Sequence, residues 1–150
     1  MFKHILVPVD DSALSFKAVT YAAKMAKASK GRITVLHVIP PFTTPMYADG
    51  FILPADVTSP AEYTKQTLRF AQKLFARAHK ATLRAGRITS HGVTVVDDEP
   101  WRAIIATARK RRCDIVVMAS HGRRGLSAVV LGSQTNKVLT HSKIPVLVCR

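Results

Sequence analysis

Five short runs of apolar, largely β-branched residues leave few possible folds: HILVPV (4–9), RITVLHV (32–38), GVTVV (92–96), DIVVMA (114–119) and PVLVC (145–149). Most run continuously instead of alternating, which is how strands buried on both faces of a parallel sheet read. A segment with helical punctuation separates each run from the next. Parallel neighbours need a crossover, and right-handed crossovers lay helices over both sides of the sheet. The expectation is an α/β fold: one doubly wound domain over residues 1–150, with a five-stranded parallel sheet and helices on both faces. A chain of 150 residues buries a core without covalent staples.

The helices announce their ends. The first follows Asp11-Ser12, repeats small apolar residues at Ala18, Ala22 and Ala26, and is expected to stop at Gly31. The second opens with Ser59 as N-cap, Pro60 at the first helical position and Glu62 completing a capping box. Its inward face reads as Leu68, Ala71, Phe75 and Ala78, with Leu74 beside it and Gly86 as the stop. The third starts at Pro100, behind the acidic run Asp97-Asp98-Glu99 that is expected to cap it. It ends in RKRR (109–112), cations suited to the negative end of a helix dipole. The fourth runs from about Gly132-Ser133 to His141. Between 39 and 58, prolines and a glycine break regular structure while Phe42, Met46, Tyr47, Phe51, Ile52 and Leu53 keep it apolar. Such a loop reads as a flap or a partner surface.

Charge narrows the partners. Twenty-three Lys and Arg against nine Asp and Glu give a net charge of +14, a field that concentrates anions without choosing among them. The cations are spread over several segments and no nucleic-acid recognition signature is present, so nucleic acid is not the favoured partner. No apolar run approaches a membrane span and the start lacks a signal-peptide layout; the expected compartment is the cytoplasm, with no membrane partner. Cys113 and Cys149 have neither CxxC spacing nor nearby metal-ligand partners, so they read as reduced, packed thiols, and no metal site is expected.

Ligands of open α/β sheets bind beyond the carboxyl ends of the strands. The first run ends in Pro8-Val9-Asp10-Asp11-Ser12. Asp11 or Ser12 must cap the helix, which leaves Asp10 to accept hydrogen bonds from ribose hydroxyls or an amine. The second ends at His37-Val38, whose backbone faces the crevice. The fourth leads into ASHGRRGLSAVVLGS (119–133). Gly122 allows a close backbone approach, and Gly132-Ser133 opens a helix whose N–H groups and dipole favour an anion. Ser133 and Thr135 add hydroxyls, and His121, Arg123 and Arg124 add cationic or polar groups. The competing reading is a turn at Gly122 and a plain N-cap at Ser133. There is no GxxxxGK[ST] loop and no GxGxxG after the first strand.

These motifs together resemble the universal stress protein family over the whole chain: HILVPVDDS, an HV strand end, CDIVVMASHGRRG, LGSQTNKVL and a terminal PVLVCR. The nucleotide-binding branch carries G-x-x-G, nine residues, then G-[S/T]. Here Ala119-Ser120-His121-Gly122 is followed by nine residues, Arg123 to Leu131, and then Gly132-Ser133, so Ala119 replaces the first glycine. The resemblance implies ATP or a related adenine nucleotide as ligand, with magnesium. Pro8, Val9 and Asp10 would line the adenosine and the Val38 backbone would read adenine. Met118, Ala119, His121 and Gly122 would cover the ribose and first phosphates. Gly132, Ser133, Gln134 and Thr135, with Arg123 close by, would hold the distal phosphates. It also implies a homodimer through the last strand.

No catalytic constellation accompanies the site. There is no GxSxG elbow, and His4, His37, His91, His79 and His141 all read as packed or helix-end residues; Trp101 reads as packing on its helix's first turn. The expected function is a stress-response regulator that binds ATP with little turnover. The alternatives are a slow ATP hydrolase, or a nucleotide-free interaction module acting through its basic surface.

Overall fold

The computed structural model describes residues 2–42, 59–122 and 131–150. The apolar run at the start forms β1 (His4–Pro8), and the sheet is wound outward from it. The chain passes through α1 (Ala13–Ser29) to β2 (Arg32–Ile39), then through α2 (Pro60–Arg84) to β3 (Ser90–Val96). It crosses back over α3 (Pro100–Lys110) to β4 (Ile115–Ala119), and ends through α4 (Ser133–His141) in β5 (Val146–Cys149). All pairings are parallel and the strand order is β3-β2-β1-β4-β5. This is the expected doubly wound α/β fold.

Continuous apolar strands were needed because both faces are covered. Ile5, Val7, Val9, Ile33, Val35, Ile115 and Val117 pack with Phe16, Val19 and the alanines of α1, and with Leu74 and Ala78 of α2. Leu6, Leu36, Val116 and Met118 pack on the other side with Ile104 and Ala108 of α3 and Val138 of α4. Among the described residues no helix is long and apolar enough to cross a membrane.

Several ends and faces differ from the sequence reading. Ser12 is the N-cap of α1, its Oγ accepting from Ser15 N at 3.0 Å. The left-handed residue closing α1 is Lys30 (φ 52°), not Gly31. Gly31 serves close approach instead: a Cβ there would lie 2.6 Å from the Lys3 carbonyl oxygen. Ser59 caps α2 as expected, accepting from Glu62 N at 3.2 Å. The buried stripe of α2, however, is Tyr63, Thr67, Ala71, Leu74, Ala78 and Thr82, and Leu68 is 44% exposed. Threonine is tolerated inside because its hydroxyl bonds the preceding turn, Thr67 to the Tyr63 carbonyl at 2.8 Å and Thr82 to the His79 carbonyl at 2.8 Å. At α3 the N-cap Glu99 makes no side-chain cap; Asp97 accepts from Glu99 N at 2.8 Å instead. Glu99 turns to Trp101 Nε1 and to Lys137.

Candidate functional site

In the order β3-β2-β1-β4-β5 the winding reverses between β1 and β4. Crossovers leave in opposite directions there, so a crevice opens beyond the carboxyl ends of these two strands. Pro8 is half-buried at the end of β1, and Val9 is buried behind it. Val9 N donates to the Leu36 carbonyl at 2.8 Å, and the Val9 carbonyl accepts from His37 Nδ1 at 2.9 Å. These bonds fix the chain just before Asp10. Asp10 Oδ1 accepts from Ser12 N at 3.2 Å and Ser12 Oγ at 2.7 Å, which ties the carboxylate to the start of α1. Its other oxygen lies against the far side of the crevice: a Cβ on Gly122 would stand 2.3 Å from Asp10 Oδ2. The next residue, Asp11, takes the left-handed conformation (φ 71°) and faces Arg77 at 3.1 Å.

The β4 side is equally determined. Met118 and Ala119 are buried, so what they offer the crevice is backbone. Ala119 pairs with Cys149 as the last residue of the strand, a position where alanine is at ease. Beyond it, Ser120 N donates to the Cys149 carbonyl at 2.7 Å and the Ser120 carbonyl accepts from Gly132 N at 2.7 Å. A Cβ on Gly132 would lie 3.1 Å from His121 Cα. The two ends of the glycine-flanked segment are thus clipped together, with Gly132 as N-cap of α4 and no side-chain cap over its first turn.

Of the side chains expected at α4, only Ser133 is exposed. Thr135 is buried, and its hydroxyl donates to the Ala119 carbonyl at 2.9 Å, so it is not available as a ligand donor as expected but braces β4 against α4. Gln134 Oε1 accepts from Trp101 N at 3.1 Å, joining α4 to the start of α3. Val38 lies two residues beyond Leu36, the partner of Pro8, and pairs with Val95. The structure therefore gathers Pro8, Val9, Asp10, Gly122, Gly132 and Ser133 around one crevice, with Val38 at the end of the neighbouring strand. Arg123, Arg124 and residues 43–58 of the expected flap lie outside the described residues.

An open cleft of about 310 Å³ adjoins the crevice, lined by Ala13, Leu14, Lys17, Ser120, His121 and Arg150. Of the expected ligand residues among the described ones, only His121 lines it, with Nδ1 3.1 Å from Ser120 Oγ. Lys17 and Arg150 were not expected here; Lys17 Nζ donates to the Arg150 carbonyl at 2.5 Å. The sequence signal for them was weak, a lone lysine one turn into a helix and a chain-terminal arginine. Neither cysteine takes part. Burial pushes the Cys113 thiol up to about 11, and burial also raises that of Cys149, so both stay protonated packing residues. Among the described residues no three His, Cys, Asp or Glu side chains form a metal-binding group.

A doubly wound parallel sheet with glycines and a carboxylate converging at its switch point defines an α/β protein of the kind that holds ligands at strand ends. The profile of the Universal stress protein family matches residues 1–150, and the chain belongs to that family. It is 29% identical over 154 residues to the Universal stress protein YxiE of Bacillus subtilis (strain 168), covering the whole of both chains. Among solved structures, that of the hypothetical protein MJ0577 superposes with a TM-score of 0.80 at 26% identity, covering 99% of this chain and 96% of the other. A universal stress protein solved with cAMP gives 0.74 at 21% identity, covering 99% and 97%. One from Archaeoglobus fulgidus solved with dAMP gives 0.71 at 17%, covering 99% and 98%.

Proposed function

We propose that the protein binds an adenine nucleotide, ATP with magnesium, in the crevice beyond β1 and β4, and that occupancy regulates its partner binding in a stress response. The single observation that carries this reading is the meeting of Asp10 with Gly122 beside the clipped Ser120–Gly132 turn. A carboxylate fixed by Ser12 suits ribose hydroxyls, and a glycine without Cβ lets backbone N–H groups reach a phosphate. Pro8 and Val9 line the adenosine and the Val38 backbone reads the adenine edge. Met118, Ala119, His121 and Gly122 cover the ribose and first phosphates, the first two through their backbone. The distal phosphates sit at the N-terminus of α4, on the N–H groups of Ser133 and Gln134 and the Ser133 hydroxyl, with Arg123 beside them. Magnesium enters with the triphosphate. Two members of the fold were solved with adenine nucleotides, cAMP and dAMP, which supports the ligand class.

In this reading the protein is a cytoplasmic homodimer. β5 is an edge strand with Leu147 exposed, a surface suited to pairing with a second copy. In this reading the nucleotide is bound with little turnover. Calorimetric titration of nucleotide-free protein with ATP and magnesium is the test. Saturable heat that disappears in Gly122→Val and weakens in Ser133→Ala supports the reading. Silence at millimolar ATP removes it.

A further inference from the structure

Six of the chain's 23 Lys and Arg residues share one face of one helix. Lys65, Arg69, Lys73, Arg77, Lys80 and Arg84 recur along α2 at steps of three or four residues, and all six are exposed. At 3.6 residues per turn they fall within one arc of about 120°, opposite the buried stripe, and span about 28 Å of helix. From Tyr63 to Val96 the chain has no Asp or Glu. Each of the six has a like-charged neighbour three or four residues away, an arrangement that destabilises a helix, so helix stability is not what the stripe serves. Among the described residues only Arg77 is committed, to Asp11 at 3.1 Å and over the Phe16 ring at 3.7 Å. The other five pair with no carboxylate among the described residues.

We infer that this face of α2 is a docking surface for duplex nucleic acid, gripped through its phosphates. A band of cations along one side of a helix, on a chain of net charge +14, complements a regular row of phosphates. The aromatic residues of α2 are turned inward, Tyr63 buried and Phe70 and Phe75 packed against the core, so the face has no ring on which single-stranded bases would stack. A membrane surface fits less well, because the apolar side of α2 is spent on the core and only Leu68 and Leu83 among its large apolar side chains are exposed. Contact through phosphates alone also agrees with the lack of any base-reading motif. Arg77 reaches Asp11 beside the nucleotide crevice, while the other five cations are not among the residues placed around it, so the proposal does not depend on that reading.

The test is anisotropy of a labelled DNA duplex with the full chain across a salt series. Five engaged cations give a slope of about −4.5 in log K against log salt, a weakening of about 500-fold between about 50 and 200 mM. In Lys65→Gln/Arg69→Gln/Lys73→Gln/Lys80→Gln the slope drops to about −0.9, about a 3.5-fold change over the same range. This variant relieves repulsion within α2, and its melting temperature is not lowered. Arg109→Gln/Lys110→Gln/Arg111→Gln/Lys143→Gln removes the same charge elsewhere and keeps the steep slope. Equal losses in both variants would assign binding to net charge and overturn the proposal. So would absence of duplex binding at low salt, or stripe-dependent retention on phosphatidylserine vesicles without duplex binding.

Discussion

Replacing Gly122 by alanine tests the contact on which the candidate site rests. The added Cβ would lie 2.3 Å from Asp10 Oδ2, where ordinary contact begins at 3.4 Å, an overlap of about 1.1 Å. Gly122 is outside the left-handed region, so no backbone strain adds to this; the whole effect is steric. Asp10 can swing away only by loosening its bonds to Ser12 N and Ser12 Oγ at 3.2 and 2.7 Å. Overpacking costs about 1–3 kcal/mol and hydrogen bonds to charged groups contribute about 1.5–3 kcal/mol. Asp10 is half-buried and water recovers part of the loss, so about 1–2 kcal/mol is expected, or about 2–8 °C in melting temperature. In an Asp10→Ala background the carboxylate is gone, and Gly122→Ala should cost under about 0.5 kcal/mol. Urea denaturation of the four proteins of this cycle measures the coupling. Additivity within about 0.5 kcal/mol would refute the argument.

Three further outcomes are expected. His4 is buried, with Nδ1 accepting from Arg32 at 3.2 Å and Nε2–H donating to Thr34 Oγ1 at 2.8 Å, and burial together with the Arg32 charge lowers its pKa from 6.5. A depressed histidine pKa means the unfolded chain takes the proton first. Stability is therefore full above about pH 7.5 and declines as pH falls through 6.5; denaturation across this range should show a flatter profile in His4→Gln, and an unchanged profile would discard the assignment. Asp114 accepts from Lys3 N at 2.6 Å and His4 N at 2.8 Å, anchoring the start of β1, and these bonds lower its pKa. Asp114→Ala should cost about 1–2 kcal/mol in urea denaturation. Both cysteines are buried, so a thiol reagent such as Ellman's should label neither in the native protein and both in denaturant; rapid native labelling of Cys113 would contradict its raised pKa.

The sequence by itself determined the five strands, their parallel pairing and most helix starts. A strand covered on both faces must be apolar throughout, and a serine before a proline or a small-residue repeat acts within a single turn, so both signals are written locally. Ser12, Ser59 and the packed thiols Cys113 and Cys149 were legible for that reason. The tertiary structure decided what local rules leave open. It turned α2 so that Thr67 is buried and Leu68 exposed, since a threonine that bonds its own helix needs no partner in the core. It spent the Thr135 hydroxyl on the Ala119 carbonyl, and it left Ser133 facing out. The glycine spacing pointed to a crevice, but only the reversal of winding between β1 and β4 sets the Asp10 carboxylate against Gly122. That contact joins segments distant in sequence, and no local periodicity records it. The cations of α2 follow the same division: their spacing is in the sequence, while the side of the helix they occupy was fixed by which face the core required.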